Sequence, residues 1–180
     1  MKNKGILYKT RVYLAGNIEN CDNLEWRAKI SQKLKRLGIV ILNPTKKVFL
    51  DQVQETEKTR CDLIWERSQG NYKFVHDFMK EVIRKDLRQI DICDFVIVNL
   101  DYDKGTFGTV HEIVKASEQR KSLLFLVKDK TKMPLWIIGL INMDFCFESE
   151  EELMGYLKNI NSGKEKLDPK YWKILVDELK

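Results

Sequence analysis

Apolar residues follow two alternating rhythms along this chain. Short apolar runs closed by turn residues occur at 11–15, 39–42, 94–100, 122–127 and 144–147. Each has the length of a buried strand. The first, Arg11-Val12-Tyr13-Leu14-Ala15, ends at Gly16-Asn17, and the second ends at Asn43-Pro44. Between the runs the apolar period lengthens to that of a helix. A helix is predicted over 23–37, with Ile30, Leu34 and Leu37 on one face and Gly38 as its stop. Another is predicted over 74–92, where Val75, Phe78, Met79, Val82, Ile83 and Ile90 share a face. Further helices are expected over 109–120, 134–141, 150–159 and 169–179.

Strands alternating with helices imply right-handed crossovers and a parallel sheet covered on both sides. The expected architecture is a single α/β domain over residues 1–180. It is a Rossmann-like (flavodoxin-like), five-stranded, mostly parallel sheet with helices on both faces. Residues 46–72 are charged, carry scattered aromatics and break the rhythm. They read as a partly helical lid or insertion. Ligands of such sheets sit beyond the carboxyl ends of the strands. This directs attention to residues 13–17, 101–112 and 139–142.

Composition removes several function classes. No segment approaches the ~20 apolar residues of a membrane span. The basic start is not followed by an apolar signal region, so a cytoplasmic location is expected. Cys21, Cys61, Cys93 and Cys146 are scattered, without the spacing of a zinc site, and read as reduced thiols. The net charge of +5 is spread along the chain, mixed with acids. It forms no basic stripe interleaved with aromatics, so no nucleic-acid partner is expected. A modest positive field would help attract a phosphorylated substrate.

Three side chains are candidates for chemistry. Glu112 stands in Gly108-Thr109-Val110-His111-Glu112. Thr109 as N-cap and Glu112 three residues on would make a capping box. Equally, Glu112 is a carboxylate at the carboxyl edge of the sheet, where a helix dipole favours the ionised nucleophilic form. Asp86 lies four residues after Val82 and four before Ile90, so it interrupts their apolar stripe. Such a carboxylate needs a partner or a role, unless the stripe's edge is solvated there. Tyr13 in the first strand reads as packing, but a buried hydroxyl seeks an acceptor, and a carboxylate at a neighbouring strand's exit would supply one. His111 and His76 read as structural or exposed. Gly16, Gly105 and Gly108 match neither a Walker loop nor a dinucleotide fingerprint, and suggest close backbone approach to a ligand.

Together these pieces resemble the nucleoside 2-deoxyribosyltransferase superfamily, which includes deoxynucleoside 5′-monophosphate N-hydrolases. Val12-Tyr13-Leu14-Ala15-Gly16 is similar to its opening strand. Trp26-Arg27 and Leu42-Asn43-Pro44 are similar to a pattern of its second branch. Lys85-Asp86-Leu87 with Asp94-Phe95-Val96-Ile97 resembles its aspartate helix and following strand, and Gly108-Thr109-x-x-Glu112-Ile113 its nucleophile motif. The resemblance implies that Glu112 attacks the anomeric carbon, Tyr13 orients it and Asp86 protonates the departing base. A glycosyl ester would then pass to a second base or to water with retention. This parallels retaining glycosidases, whose carboxyls lie ~5 Å apart. No metal or other cofactor is implied. The partners would be a nucleoside or nucleotide, a nucleobase, and further copies of the chain in a homo-oligomer. Asn142 is the loose match to an asparagine that reaches a neighbouring subunit's sugar.

One departure bears on substrate choice. The transferases carry an acidic residue six positions before the glutamate, where this chain has Thr106. The related hydrolases place a hydroxyl there to help hold the 5′-phosphate, and Asn17 stands where they have a polar residue. The substrate-binding set implied is Gly16, Asn17, Thr106, Gly108, Thr109 and Asn142. The leading expectation is transfer of deoxyribose between bases, followed by hydrolysis of a 5′-monophosphate. A non-catalytic nucleotide sensor is a third reading, which the triad of Tyr13, Asp86 and Glu112 argues against.

Overall fold

The computed structural model describes residues 5–18, 25–45, 56–102 and 107–174. The strands are β1 (Arg11–Gly16), β2 (Val40–Leu42), β3 (Phe95–Leu100), β4 (Ser122–Val127) and β5 (Cys146–Phe147). The helices are α1 (Glu25–Arg36), α2 (Glu57–Ser68), α3 (Tyr72–Ile92), α4 (Phe107–Glu118), α5 (Leu135–Leu140) and α6 (Glu150–Asn161). The strands form one sheet in the order β2-β1-β3-β4-β5, and every neighbouring pair is parallel. This is the flavodoxin-like order expected from the alternating rhythms. Its switch point lies between β1 and β3, where the chain first steps to one side of β1 and later to the other.

Period-two alternation divides β1 between two cores. Val12 and Leu14 face α1 and α6, packing with Ile30, Leu34, Leu153 and Leu157. Tyr13 and Ala15 face the other side, among Ile90 of α3, Ile113 and Ala116 of α4, and Ile137 of α5. At the amino edge, Asp94 accepts from the Arg11 amide at 2.6 Å and pairs with its guanidinium at 3.5 Å, which sets the start of β1 beside β3. Cys61, Cys93 and Cys146 are free thiols. Burial pushes the Cys93 thiol up to about 12, so it packs as an inert side chain.

In the irregular region 46–72, α2 packs on α3. The link between them turns at Gly70, whose φ of +79° lies in the left-handed region that suits glycine after a helix.

Three boundaries differ from expectation. The helix α4 starts at Phe107 rather than Thr109. The fifth strand shrinks to two residues, because Met143–Phe145 wind into a 3-10 turn before it. No helix forms over 169–174; the rest of that expected helix lies outside the described residues. Tertiary packing overrides propensity there. Trp172 is buried against Phe95, with ring centroids 5.2 Å apart, and its indole donates to the Tyr156 hydroxyl at 3.1 Å. Tyr171 meets the Phe145 ring edge-on at 5.4 Å. Both aromatics reach the sheet from a single turn that Asp168 closes.

Trp172 thus anchors the tail to the first core. Trp172→Ala should lower stability by about 3–5 kcal/mol in equilibrium denaturation. A loss below about 1 kcal/mol would show that the tail contributes little to the core.

Candidate active site

The site grows from the exit of β1. Tyr13 is fully buried, and its hydroxyl donates to Glu112 Oε1 at 2.6 Å. This bond ties the central strand to α4, 99 residues later in the chain. Glu112 is reachable because α4 starts at the exit of β3, the strand beside β1 at the switch point. The early start of α4 also decides between the two readings of Glu112. Thr109 lies inside the first turn and is not the N-cap, so the capping box is not what holds this carboxylate.

Asp86 reaches the same place from α3. It is 7% exposed and Glu112 is 9% exposed, so the solvated-edge reading of Asp86 does not hold. Tyr13 senses both carboxylates. Its pKa is raised well above 10, first by burial, then by the charges of Glu112 and Asp86 and by the hydrogen bond to Glu112. The phenol therefore keeps its proton and acts as the donor, while Glu112 is the acceptor.

Both carboxylates line a cleft of about 430 Å³. Gly16, Asn17 and Ile18 border it from the exit of β1, and Gly108, Thr109 and His111 from α4. Sequence reading had set His111 aside as structural or exposed. It is exposed, but into the cleft. Gly16 has a steric role, since a Cβ there would lie 3.0 Å from the Asn99 carbonyl and 3.1 Å from the Trp26 ring. Among the described residues, a Cβ on Gly108 would meet no atom within 4 Å, so the backbone there borders open space in the cleft. Asn142 is not among the residues bordering the cleft. Its side-chain oxygen accepts from the Asp144 amide at 3.1 Å and caps the turn before β5. Thr106 lies outside the described residues. His76 is exposed beside Asp77, away from the cleft.

Two features escaped the sequence reading of residue roles. The first is Arg27 of α1, which is 1% exposed. Its guanidinium donates to the carbonyls of Leu14 at 3.3 Å, Gly16 at 2.7 Å and Asn17 at 3.4 Å. Its charge also acts on Tyr13, in the direction that lowers the phenol pKa. Arg27 therefore fixes the end of β1 and sets a buried cation near the carboxylates. A signal was available: Arg27 lies three residues before Ile30 and seven before Leu34, on the face of that apolar stripe, as Asp86 lies on the face of Val82 and Ile90. The second is α2, which contributes Arg60, Leu63, Ile64 and Arg67 to the cleft. From α3 come Val75, Met79, Val82, Ile83 and Leu87, so this wall is largely apolar. The whole combines a carboxylate held by a hydroxyl, a second carboxylate and a largely apolar wall.

Among the described residues, no helix is long and apolar enough to cross a membrane. A family model described as nucleoside 2-deoxyribosyltransferase matches residues 12–157. Among solved structures, the chain is similar to the 2-deoxyribosyltransferase of the psychrotolerant bacterium Bacillus psychrosaccharolyticus. That match has 18% identity and a TM-score of 0.58, covering 82% of this chain and 92% of the other. A conserved protein from Enterococcus faecalis V583 has 17% identity and a TM-score of 0.56, covering 84% and 98%. The 2-desoxiribosyltransferase from Leishmania mexicana has 18% identity and a TM-score of 0.50, covering 82% and 96%. At these identities the structural likeness concerns the fold. No curated protein sequence matches the chain.

The raised Tyr13 pKa sets a pH dependence. Above about pH 10 the unfolded chain loses the phenol proton and the native chain keeps it, so stability present below that pH is lost as pH rises. Tyr13→Phe should flatten this alkaline slope by up to about 1.4 kcal/mol per pH unit, read from denaturation between roughly pH 10 and 11. Identical slopes in the two proteins would mean that Tyr13 ionises as readily folded as unfolded.

Proposed function

The chain belongs to the nucleoside 2-deoxyribosyltransferase family, enzymes of N-glycosidic bonds in nucleosides or nucleotides, and on that premise we propose that it cleaves 2′-deoxynucleosides and passes the sugar to another base. Glu112 is the nucleophile. Its carboxylate bonds to C1′ as the C1′–N bond breaks, and the electron pair of that bond leaves with the base. Asp86 delivers the proton that neutralises the departing nitrogen. The product of this half-reaction is a glycosyl ester on Glu112 and a free base.

In the second half-reaction an incoming base attacks C1′ from the vacated side and expels Glu112 as carboxylate. Asp86 takes back a proton from the new nucleophile. Two inversions give net retention. Tyr13 is a positioning residue: its hydroxyl holds the carboxylate in one orientation and steadies the negative charge that returns when the ester opens. Gly16, Asn17, Gly108 and Thr109 border the substrate. The observation that carries this reading is the buried Tyr13–Glu112 hydrogen bond in a cleft shared with Asp86 at the switch point.

A second reading has a specific observation in its favour. Arg60 and Arg67 in the same cleft suit a 5′-monophosphate substrate, with water as acceptor.

Glu112→Gln should abolish turnover, and mass spectrometry of wild-type protein quenched during turnover should reveal a glycosyl adduct on the peptide containing Glu112. Wild-type rates in Glu112→Gln would refute the mechanism. Asp86→Asn should slow release of poor leaving bases by ~100- to 10,000-fold, and of activated bases far less. Equal slowing of both would give Asp86 a binding or folding role.

A further inference from the structure

Resting on the reading that this cleft takes a nucleoside or nucleotide, we infer that Arg27 is a positioning residue for substrate binding. Its guanidinium stands in for the strand that β1 loses at its exit, and so holds the backbone of Gly16 and Asn17 as a fixed border of the cleft.

The carbonyls of a strand turn alternately to its two neighbours. The Thr10 carbonyl, just before β1, accepts from the Val40 amide of β2 at 2.8 Å. The next carbonyl, of Arg11, accepts from the Asp94 amide beside β3 at 2.7 Å. By that alternation the carbonyls of Val12, Leu14 and Gly16 face the β2 side. Among the described residues, β2 pairs with β1 from Arg11 to Tyr13, whereas β3 runs beside it as far as Gly16. Continued in steps of two, the β2 ladder would bring Pro44 to the Leu14 carbonyl. Proline has no amide hydrogen to donate, so the ladder stops there. Leu14 and Gly16 are both buried, and buried carbonyls require a donor.

Arg27 supplies it. Nη2 donates to the Gly16 carbonyl at 2.7 Å and Nε to that of Leu14 at 3.3 Å. Nη1 donates to Asn17, the first carbonyl past the strand, at 3.4 Å. The carbonyl after that, of Ile18, accepts from Arg60 on α2. A planar fork of donors can serve carbonyls two residues apart, which a compact ammonium cannot. The Trp26 ring lies 4.9 Å from the guanidinium carbon and backs it. Pro44 thus ends one strand, and Arg27 completes the other.

The consequence falls on the residues that meet the ligand. Gly16, Asn17 and Ile18 border the cleft. Tyr13, by contrast, is flanked by β2 and β3, and its bond to Glu112 starts from that fixed base. The charge of Arg27 reaches Tyr13, but with less effect than the charges of Glu112 and Asp86. Arg27 therefore governs the border that receives the substrate more than the pair that reacts with it.

Arg27→Lys keeps the charge and loses the fork. Hydrogen exchange should quicken at residues 14–18 and change little at residues 11–13. Calorimetry on the Glu112→Gln background, with the four 2′-deoxynucleosides and their 5′-monophosphates as probes, should show the best ligand bound about ten-fold more weakly. That is the scale of ordering about one backbone residue on binding. In otherwise wild-type enzyme KM should rise by a similar factor, with kcat changing less. Arg27→Gln, which removes the buried charge, serves the same comparison where lysine is not tolerated. A role in folding alone would lower the active fraction, and with it kcat, at unchanged KM. That result overturns the inference, as do unchanged exchange at residues 14–18 and failure of both variants to fold. If the exit loosens while wild-type protein neither binds nor cleaves any probe, the clamp on β1 stands and the proposed reaction fails.

Discussion

The hydrogen bond from Tyr13 to Glu112 is the constraint around which the site is built. It joins the middle of the sheet to the helix that follows β3, and both partners are almost removed from water. A buried carboxylate is costly unless it is hydrogen-bonded. A buried phenol is likewise costly unless it finds an acceptor. Each meets that need for the other in the second core. The same bond holds the carboxylate through a hydroxyl that keeps its own proton.

The other requirement is a fixed end to β1. Parallel sheets leave carbonyls at their carboxyl edge, and there the backbone must turn sharply while bordering a ligand. Arg27 meets that need by gathering the carbonyls of Leu14, Gly16 and Asn17 onto one guanidinium. Its buried positive charge also acts on Tyr13, against the effect of the two carboxylates. Gly16 completes the arrangement by letting the Asn99 backbone and the Trp26 ring approach closely. Strand, helix and charge are therefore one unit, and the family match from residue 12 to residue 157 spans it.

Much of this was legible in the sequence because its signals are periodic. Strand runs and helical stripes fixed the order of elements, and a right-handed crossover then left few topologies. Asp86 stood out because it broke a stripe. Arg27 stands at the start of another, but a long basic side chain at a helix end ordinarily reaches solvent, so its burial depends on tertiary contacts. The capping-box reading of Thr109 failed because the helix begins two residues earlier. Local motifs cannot choose between adjacent registers. Trp172 was read as part of a helix because propensity is local, whereas its partners Phe95 and Tyr156 are distant in sequence. The stripe on α2 was hidden by its mixed character, since arginines at both ends weaken the apolar rhythm that marks a buried face.

The two kinds of residue at the cleft also differ in what holds them. Glu112 and Asp86 stand on helices packed against the sheet, and Tyr13 on the central strand, so their geometry follows from the second core. Arg60 and Arg67 stand on α2, which reaches the body of the protein through α3 and the Arg60 contact to Ile18. Changing a side chain on α2 leaves the sheet intact, while changing Tyr13 or Arg27 disturbs the core itself. A fold so divided can keep one arrangement of buried carboxylates and vary the wall that faces them. The Tyr13–Glu112 pair is bound to the part that must stay packed, whereas side chains of α2 can change without unfolding it.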